Sequence, residues 1–147
     1  MAFSERVDLG TTPEGVDVFD ALCRYVRFLL SQGVKLRRLV VIGSRARGSW
    51  KPWSDTDVLI VVDQADKRLP LDENALEVDL EPRVFRPDEL FRALRELRLT
   101  ALEAGDHSVP IYDDGFWASF KAEFEKLRRA LGLERIDVGW RVGVPPT

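Results

Sequence analysis

The sequence predicts an α/β fold in which a mixed β-sheet is flanked by helices, and two observations carry that prediction. Short apolar runs rich in β-branched residues, at 39–42 and 56–62, predict buried strands. Longer segments, such as residues 90–101, carry apolar side chains every three or four positions, which is typical of amphipathic helices. Taken in order, the predicted elements read α-β-α-β-β-α-β-α, an order that favours a mixed sheet between helices.

The N-terminal half is predicted to form a long helix, two strands and a short helix. The long helix begins with Thr12 as its N-cap and ends at Gly33, because Thr-Pro opens helices and glycine closes them. The strand at 39–42 runs into a Gly-Ser pair, where a tight turn and the short helix should begin. The second strand, 56–62, follows a loop that contains Pro52.

The C-terminal half is predicted to add two strands and two helices. Residues 76–84 alternate between apolar and acidic side chains, which predicts a half-buried strand that returns antiparallel beside the second strand. One helix is expected over residues 87–105, followed by a strand at 109–112. A last helix, ending near residue 131, carries Trp117, Phe120 and Phe124 among apolar side chains at intervals of three and four. We expect these aromatic residues in the core or at a partner interface rather than around a ligand.

Length and composition predict a single domain over residues 1–147, with a core of about 12–132 and a C-terminal tail at 133–147. Hydrophobic residues make up 45% of the chain, enough for a packed core, and its one cysteine excludes an intrachain disulfide. No apolar run in the sequence approaches the roughly 20 residues that a membrane-spanning helix needs. The first residues lack the apolar segment of a signal peptide. We therefore expect a cytoplasmic protein with no membrane partner.

The balance of charge argues against general nucleic-acid binding. Lysine and arginine number 22 and aspartate and glutamate 25, so the net charge is -3, whereas a nucleic-acid coat needs a basic excess. A small local phosphate site stays compatible with this balance. With 17 Arg, 5 Lys and three Asn or Gln in total, the composition is typical of a thermophile, although a GC-rich genome also favours arginine.

Two aspartates at the entry to the second strand are the first candidate site residues. Asp55 and Asp57 are two positions apart, so their carboxylates should lie on one face of the strand. Two neighbouring anions repel each other unless one is protonated or a cation neutralises both. Hard oxygen ligands of this kind suit Mg²⁺, which also coordinates phosphate oxygens. Asp55 and Asp57 are therefore candidate ligands of magnesium.

The complementary candidate phosphate site consists of four residues that follow the first strand. Gly43 allows the backbone to approach a ligand closely, and Ser44 is expected to cap the short helix, whose N-terminal amides attract anions. Arg45 and Arg47 add guanidinium groups that pair with phosphate. Metal-binding carboxylates opposite a phosphate-binding turn indicate phosphoryl or nucleotidyl transfer.

The stretch 42–57 resembles a known family signature. An apolar strand is followed by Gly43-Ser44, ten residues, and Asp55-Thr56-Asp57 at the start of a second strand. This pattern is similar to that of the minimal nucleotidyltransferases (MNT) of the DNA polymerase β-like superfamily, and the resemblance covers about residues 12–112. It implies a palm-type mixed sheet, a site for a pair of Mg²⁺ ions, a nucleoside triphosphate as donor and a third acidic residue on the next strand.

The third acidic residue has three candidates in the alternating segment. Glu77, Asp79 and Glu81 should share one strand face. Asp79 is flanked by Val78 and Leu80, the apolar-acidic-apolar context that the family shows at this position. We therefore predict Asp79 as the third metal ligand and as the base that activates the acceptor. Glu77 and Glu81 are the alternatives if the strand register differs.

The resemblance implies an enzyme that moves a nucleoside monophosphate, AMP from ATP, to a hydroxyl acceptor by two-metal-ion catalysis. Stand-alone members of the family often pair with a small helical HEPN-domain protein as antitoxin and toxin, so a tyrosine of such a partner is the expected acceptor. The alternative is a non-catalytic antitoxin or nucleotide-binding module that acts by contact. Two points stay open: whether the chain forms a homo-oligomer, and whether Trp50 and Trp53 stack on a nucleobase or cover the sheet edge.

Overall fold

The computed structural model of the protein describes residues 3–136 and 139–143, which form six helices and six strands. None of the helices in these ranges combines the length and the apolar character that crossing a bilayer requires. The helices are α1 Val18–Ser31, α2 Ser44–Arg47, α3 Glu73–Glu77, α4 Pro87–Arg95, α5 Leu99–Asp106 and α6 Phe116–Leu131. The strands are β1 Leu36–Ile42, β2 Thr56–Val62, β3 Leu80–Phe85, β4 Val109–Asp113, β5 Leu133–Ile136 and β6 Gly139–Val142.

Four strands form one sheet in the order β3-β2-β1-β4. β1 is antiparallel to both β2 and β4, whereas β2 is parallel to β3. This arrangement confirms the predicted α/β fold with a mixed sheet flanked by helices. β5 and β6 form a separate antiparallel hairpin.

Hydrophobic side chains from the two faces of the sheet pack into two separate cores. On one face, Leu39 and Val41 pack with α1 and α3; on the other, Val40 and Leu59 pack with α4, α5 and α6. The alternation of side chains along each strand explains both cores, because successive residues point to opposite faces. Asp57 lies two residues before Leu59 on β2, which places its side chain on the α4–α6 face.

The first helix begins later than the sequence predicts. Asp17 is the N-cap of α1, and its carboxylate accepts a hydrogen bond at 2.9 Å from the amide three residues further on. Residues 11–17 instead form a tight turn, in which the Thr12 hydroxyl accepts a hydrogen bond from the Val16 amide at 3.1 Å. The prediction of Thr12 as N-cap is wrong because the buried stripe of the helix starts only at Val18.

The segment predicted as a strand at 76–84 begins as the short helix α3. Ala75 and Val78 are buried three positions apart, which is helical spacing, whereas Leu76 is exposed. The predicted strand start and its antiparallel return are therefore wrong. β3 begins four residues after Leu76 and runs parallel to β2.

The single helix predicted over residues 87–105 is divided into α4 and α5. Leu97 has a φ of +58°, the left-handed conformation that ends many helices. Its amide donates to the Leu94 carbonyl at 3.0 Å, and the Arg98 amide donates to the Ala93 carbonyl at 2.9 Å. These two bonds end α4 with a left-handed residue, a position that glycine usually occupies. Because the residue here is leucine, the sequence does not indicate that the helix ends at this point.

The last helix and the residues after it pack together. Of the aromatic residues of α6 that the sequence pattern singles out, Phe120 and Phe124 are buried, whereas Trp117 is only partly buried. Phe116 is buried beside them. The expected tail at 133–147 is wrong in part, since residues 133–136 and 139–142 form β5 and β6. Trp140 of β6 packs edge-on against Phe124, with 6.2 Å between the ring centroids. The remaining tail residues, 137, 138 and 144–147, lie outside the described residues.

Candidate metal and phosphate site

The parallel pairing of β2 and β3 brings two acidic segments to the same edge of the sheet. Asp57 lies opposite Glu81 in the ladder, and the Thr56 amide donates to the Asp79 carbonyl at 3.1 Å. One carboxylate oxygen from each of Asp55, Asp79 and Glu81 lies within 4.8 Å of the other two. These three exposed residues, which we call the acidic cluster, meet where the two strands begin.

Asp79 reaches the acidic cluster from the connection between α3 and β3. Its φ is +50°, a left-handed conformation that aspartate tolerates better than most residues. Glu77 is the last residue of α3 and lies outside the cluster. The prediction that Glu77, Asp79 and Glu81 share one strand face is therefore wrong. The structure nevertheless brings Asp79 and Glu81 together.

Mutual repulsion marks the acidic cluster as a candidate cation site. The pKa of Asp79 is raised first by its hydrogen bond with Asp55, then by the negative charge of that carboxylate and, less strongly, by that of Glu81. A hard divalent cation neutralises carboxylates whose negative charges otherwise repel one another. Three exposed oxygen donors fit Mg²⁺, which keeps waters and phosphate oxygens in its other coordination positions.

Asp57 links the acidic cluster to the Gly-Ser turn, although its own oxygens are not among those of the cluster. A Cβ placed on Gly43 would lie 2.6 Å from Asp57 Oδ2, so the carboxylate packs directly on the glycine. Gly43 also has φ +78° and ψ −154°, a conformation essentially restricted to glycine. Burial raises the pKa of Asp57, and the negative charges of Asp55 and Glu81 add to that shift. The nearby Arg83 and Arg47 oppose it.

Ser44 and Arg47 lie at the two ends of α2. The N-cap of α2 is Gly43, which has no side chain, and Ser44 is the first residue of the helix, so the prediction of Ser44 as a cap is wrong. Arg47 is partly exposed and lies 3.9 Å from the Glu103 carboxylate. Both residues therefore present polar groups on the turn that contacts Asp57 without serving as helix caps.

Replacing Ser44 by alanine is expected to weaken MgATP binding without lowering the melting temperature. The hydroxyl does not cap α2, so the fold loses little. A hydrogen bond to a charged phosphate contributes roughly 1.5–3 kcal/mol, or roughly tenfold to a hundredfold in affinity. Calorimetric titration beside a melting curve measures both effects, with the exposed Ser49→Ala as control. Unchanged affinity in Ser44→Ala would contradict a phosphate-binding role.

Arg45 lies in the interior, and the structure does not bring it to the carboxylates. Its side chain is 1% exposed. Its Nη1 donates to the Leu9 carbonyl at 2.9 Å and its Nη2 to the Ser54 carbonyl at 3.0 Å, with longer contacts to three further carbonyls. The guanidinium thus ties the loop that precedes Asp55 to the N-terminal segment, an arrangement that suits a structural anchor rather than a phosphate ligand.

The two loop tryptophans have different surroundings. Trp50 packs on Gly10, where a Cβ would lie 2.5 Å from the indole ring. The same ring lies 5.7 Å from the Arg45 guanidinium, measured to the ring centroid. Trp50 therefore packs around the Arg45 anchor, whereas Trp53 presents its ring to solvent.

Two residues beside the site were missed by the sequence analysis. Arg83 follows Glu81 by two positions on β3 and therefore lies on the same face. Glu103 on α5 faces Arg47 from a distant part of the chain. The period of two along β3 could have identified Arg83, but no local pattern could have identified Glu103.

The fold and the site together define a class of protein. A mixed sheet that places carboxylates for a divalent cation beside a Gly-Ser turn is typical of proteins that transfer phosphoryl or nucleotidyl groups. A family model described as "Nucleotidyltransferase domain" matches residues 22–134. The chain belongs to this nucleotidyltransferase family.

Other comparisons add a distant structural neighbour. A solved structure described as "Crystal structure of the toxin-antitoxin with AMP-PNP" is 17% identical in sequence, with a TM-score of 0.44. The similarity covers 72% of this chain and 89% of that chain. A similarity this distant carries no conclusion about what the protein binds. No curated protein gives a match to the chain.

Proposed function

We propose that the protein transfers a nucleoside monophosphate, AMP from Mg²⁺-bound ATP, to a hydroxyl group of a partner protein. The observation that carries the proposal is the contact of Asp57 with Gly43 beside the acidic cluster. A donor nucleotide needs its β- and γ-phosphates held at one place and its α-phosphate held near the cation and the acceptor. The Gly-Ser turn and the acidic cluster offer these two places side by side.

The donor set fits magnesium. Asp55, Asp57 and Asp79 would hold the ions, and Glu81 lies close enough to Asp55 and Asp79 to complete the set. Bound Mg²⁺ supplies positive charge that neutralises the phosphate oxygens during transfer.

The residues of the chain bind the donor and accept one proton. Ser44 and the backbone amides of its turn would donate hydrogen bonds to the β- and γ-phosphates, and Arg47 would pair with the same negative charge. Asp79, which directly precedes β3, lies one strand farther from that turn than Asp55 and would accept the proton of the acceptor hydroxyl. Arg45 would hold the Asp55 loop in place without touching phosphate.

The identities proposed for the donor, the partner and the acceptor rest on the sequence resemblance to the minimal nucleotidyltransferases. That resemblance supports ATP as donor, a small helical HEPN-domain protein as partner and one of its tyrosines as acceptor. Membership of the nucleotidyltransferase family supports nucleotidyl transfer in general. A non-catalytic antitoxin would have no need for three converging carboxylates at the edge of its sheet.

Incubation with α-labelled ATP, Mg²⁺ and the product of the neighbouring gene tests the proposal. We expect label on a hydroxyl of that partner, and none when the divalent cation is chelated. Binding of ATP and of the partner without any label would instead favour a non-catalytic module.

Asp79→Asn is expected to lower the transfer rate by at least about tenfold while changing ATP affinity little. Asparagine keeps the side-chain shape and tolerates the left-handed backbone of this position, so the fold should be kept. The matched control is Glu73→Gln, which removes an exposed charge from the first turn of α3 and should keep the wild-type rate. A wild-type rate in Asp79→Asn would exclude Asp79 as the base, and Glu81 would be tested next.

A further inference from the structure

A groove runs beside the β3 end of the acidic cluster. One hollow of about 310 Å³ has Trp53, Leu76 and Asp79 in its lining, and a second of about 250 Å³ adjoins it. The two hollows share Glu14, Leu76 and Glu77, so they form one continuous surface groove. We call this surface the Asp79 groove.

The walls of the Asp79 groove are apolar and acidic. Trp53 is 73% exposed and Leu76 is 68% exposed, so two large apolar side chains face solvent in one hollow. Glu14, in the turn that precedes α1, and Glu77, at the end of α3, are both exposed as well. Among the described residues that line the two hollows, none is basic. The groove therefore complements an occupant that is cationic and partly apolar.

The order of the strands places the Asp79 groove opposite the phosphate turn. Ser44 follows β1, Asp55 precedes β2 and Asp79 precedes β3, and these three strands are successive neighbours in the sheet. In an in-line displacement the acceptor enters opposite the leaving group. If the leaving pyrophosphate rests on the Ser44 turn, the acceptor enters from the Asp79 side, where the groove opens.

We propose that the Asp79 groove docks the acceptor as a short basic segment of a protein that carries a hydroxyl side chain, an inference that rests on the proposed function. The two connected hollows, of about 310 and 250 Å³, hold more than one hydroxyl side chain, which suits a segment of several residues. Basic side chains of the segment pair with Glu14 and Glu77, and its apolar parts pack on Trp53 and Leu76. The hydroxyl then lies beside Asp79.

The transfer step that this docking serves forms one bond and breaks one. The acceptor oxygen bonds to the α-phosphorus of ATP, while the bond from that phosphorus to the oxygen bridging the β-phosphate breaks. Pyrophosphate leaves with the electron pair of the broken bond, and the hydroxyl proton passes to the Asp79 carboxylate. The other groove residues take no part in these bonds and only position the segment.

Binding of labelled peptides tests the docking without any transfer. The probe is a fluorescein-labelled peptide with arginine and lysine around one tyrosine, and its counterpart carries glutamate and aspartate instead. Polarisation is measured with Mg²⁺ and without nucleotide. We expect the basic peptide to bind at least about tenfold more tightly than the acidic one, with affinity falling as salt rises. Glu14→Gln and Glu77→Gln should each weaken binding between about twofold and fivefold, and Trp53→Ala by about fivefold or more.

Matched controls lie on the same helix and elsewhere on the surface. Glu73→Gln removes the same charge from the other end of α3, and Leu99→Ala shortens an apolar residue that is 60% exposed outside the groove. Both should bind the basic peptide as the wild type does, whereas Leu76→Ala should bind it more weakly. Equal binding of the two peptides, or wild-type affinity in both Glu77→Gln and Trp53→Ala, overturns the proposal.

Transfer to the same peptide separates this inference from the proposed function. Labelling of the tyrosine from ATP, with KM raised and kcat unchanged in the groove variants, supports both. Labelling that the groove variants leave unchanged supports the transfer activity and overturns the groove. Binding that depends on the groove, with no label on this peptide or on any partner, supports the docking surface and overturns the transfer activity.

Discussion

Replacing Asp57 by asparagine is expected to lower the rate of nucleotide transfer by about 10²–10³ in a protein that stays folded. The Asp57 carboxylate lies against Gly43, and asparagine has the same shape, so the contact that fixes the turn is kept. The negative charge beside the acidic cluster is lost. Removal of one preorganised electrostatic group from an active site typically costs about 10²–10³ in rate.

Asp57→Asn should lose activity without losing stability. Burial raises the pKa of Asp57; Arg83 and Arg47 oppose the shift, and Asp55 and Glu81 add to it. An acid whose pKa is raised by folding destabilises the fold at any pH above its unfolded pKa, because the folded state then disfavours the charged form. The neutral variant should therefore melt at pH 7 no lower than the wild type. Added MgATP should raise the melting temperature of the wild type more than that of the variant.

Asp63→Asn is the matched control for this experiment. Asp63 follows the opposite end of β2 and its side chain is 66% exposed, so the same substitution there should change neither rate nor stability. Label incorporation at saturating ATP gives the rate, and circular dichroism gives the melting curve. Transfer by Asp57→Asn at the wild-type rate would contradict the assignment of Asp57 to the site.

The contact between Asp57 and the Gly-Ser turn could be predicted from the sequence because one antiparallel pairing fixes it. β1 and β2 are neighbours both along the chain and in the sheet, and Ile42 pairs with Asp57 in their ladder. The residue after Ile42 is then held beside Asp57 by local geometry. Motif spacing is informative where, as here, consecutive strands pair directly.

The position of β3 could not be predicted in the same way, because its direction depends on the connection before it. Alternating apolar and acidic residues fit a strand, yet Ala75 and Val78 face the core with helical spacing. The additional helix α3 lets the chain return to the start of β2, and the two strands become parallel. The alternating pattern predicts Asp79 on a strand face, whereas the structure brings it to Asp55 through the parallel pairing of β2 and β3. The catalytic role of Asp79 stays a prediction.

The two arginines of α2 could not be told apart by their nearness to the motif. Arg45 and Arg47 are two residues apart on one helical turn, so their side chains point in different directions. The two shortest hydrogen bonds that Arg45 donates go to the carbonyls of Leu9 and Ser54. Nothing in the local pattern marks the N-terminal segment as a partner of this helix. From the sequence alone, an arginine that anchors a loop therefore cannot be distinguished from one that binds phosphate. The distinction needs the position of the N-terminal segment in the fold.

Arg45→Met is expected to lower the free energy of unfolding by roughly 3 kcal/mol. Methionine cannot donate, so the carbonyls of Leu9 and Ser54 lose bonds of 2.9 and 3.0 Å to a charged partner, each of which contributes roughly 1.5–3 kcal/mol. Burial lowers the pKa of Arg45, and removing a desolvated charge offsets part of that loss. For a chain of this length the net change corresponds to a fall in melting temperature of roughly 6–12 °C. Urea denaturation and thermal melts measure both quantities.

Two further variants make the Arg45 prediction specific. Arg45→Lys keeps the charge, but its ammonium cannot reach carbonyls on both sides, so its stability should lie between those of the wild type and Arg45→Met. Arg95→Met removes an exposed arginine from α4 and should change stability little. Because the Arg45 anchor holds the loop that leads to Asp55, Arg45→Met should also lose transfer activity at temperatures where it remains folded. Wild-type melting combined with a selective loss of ATP affinity would instead identify Arg45 as a phosphate ligand, and would reverse the assignment made from its carbonyl contacts.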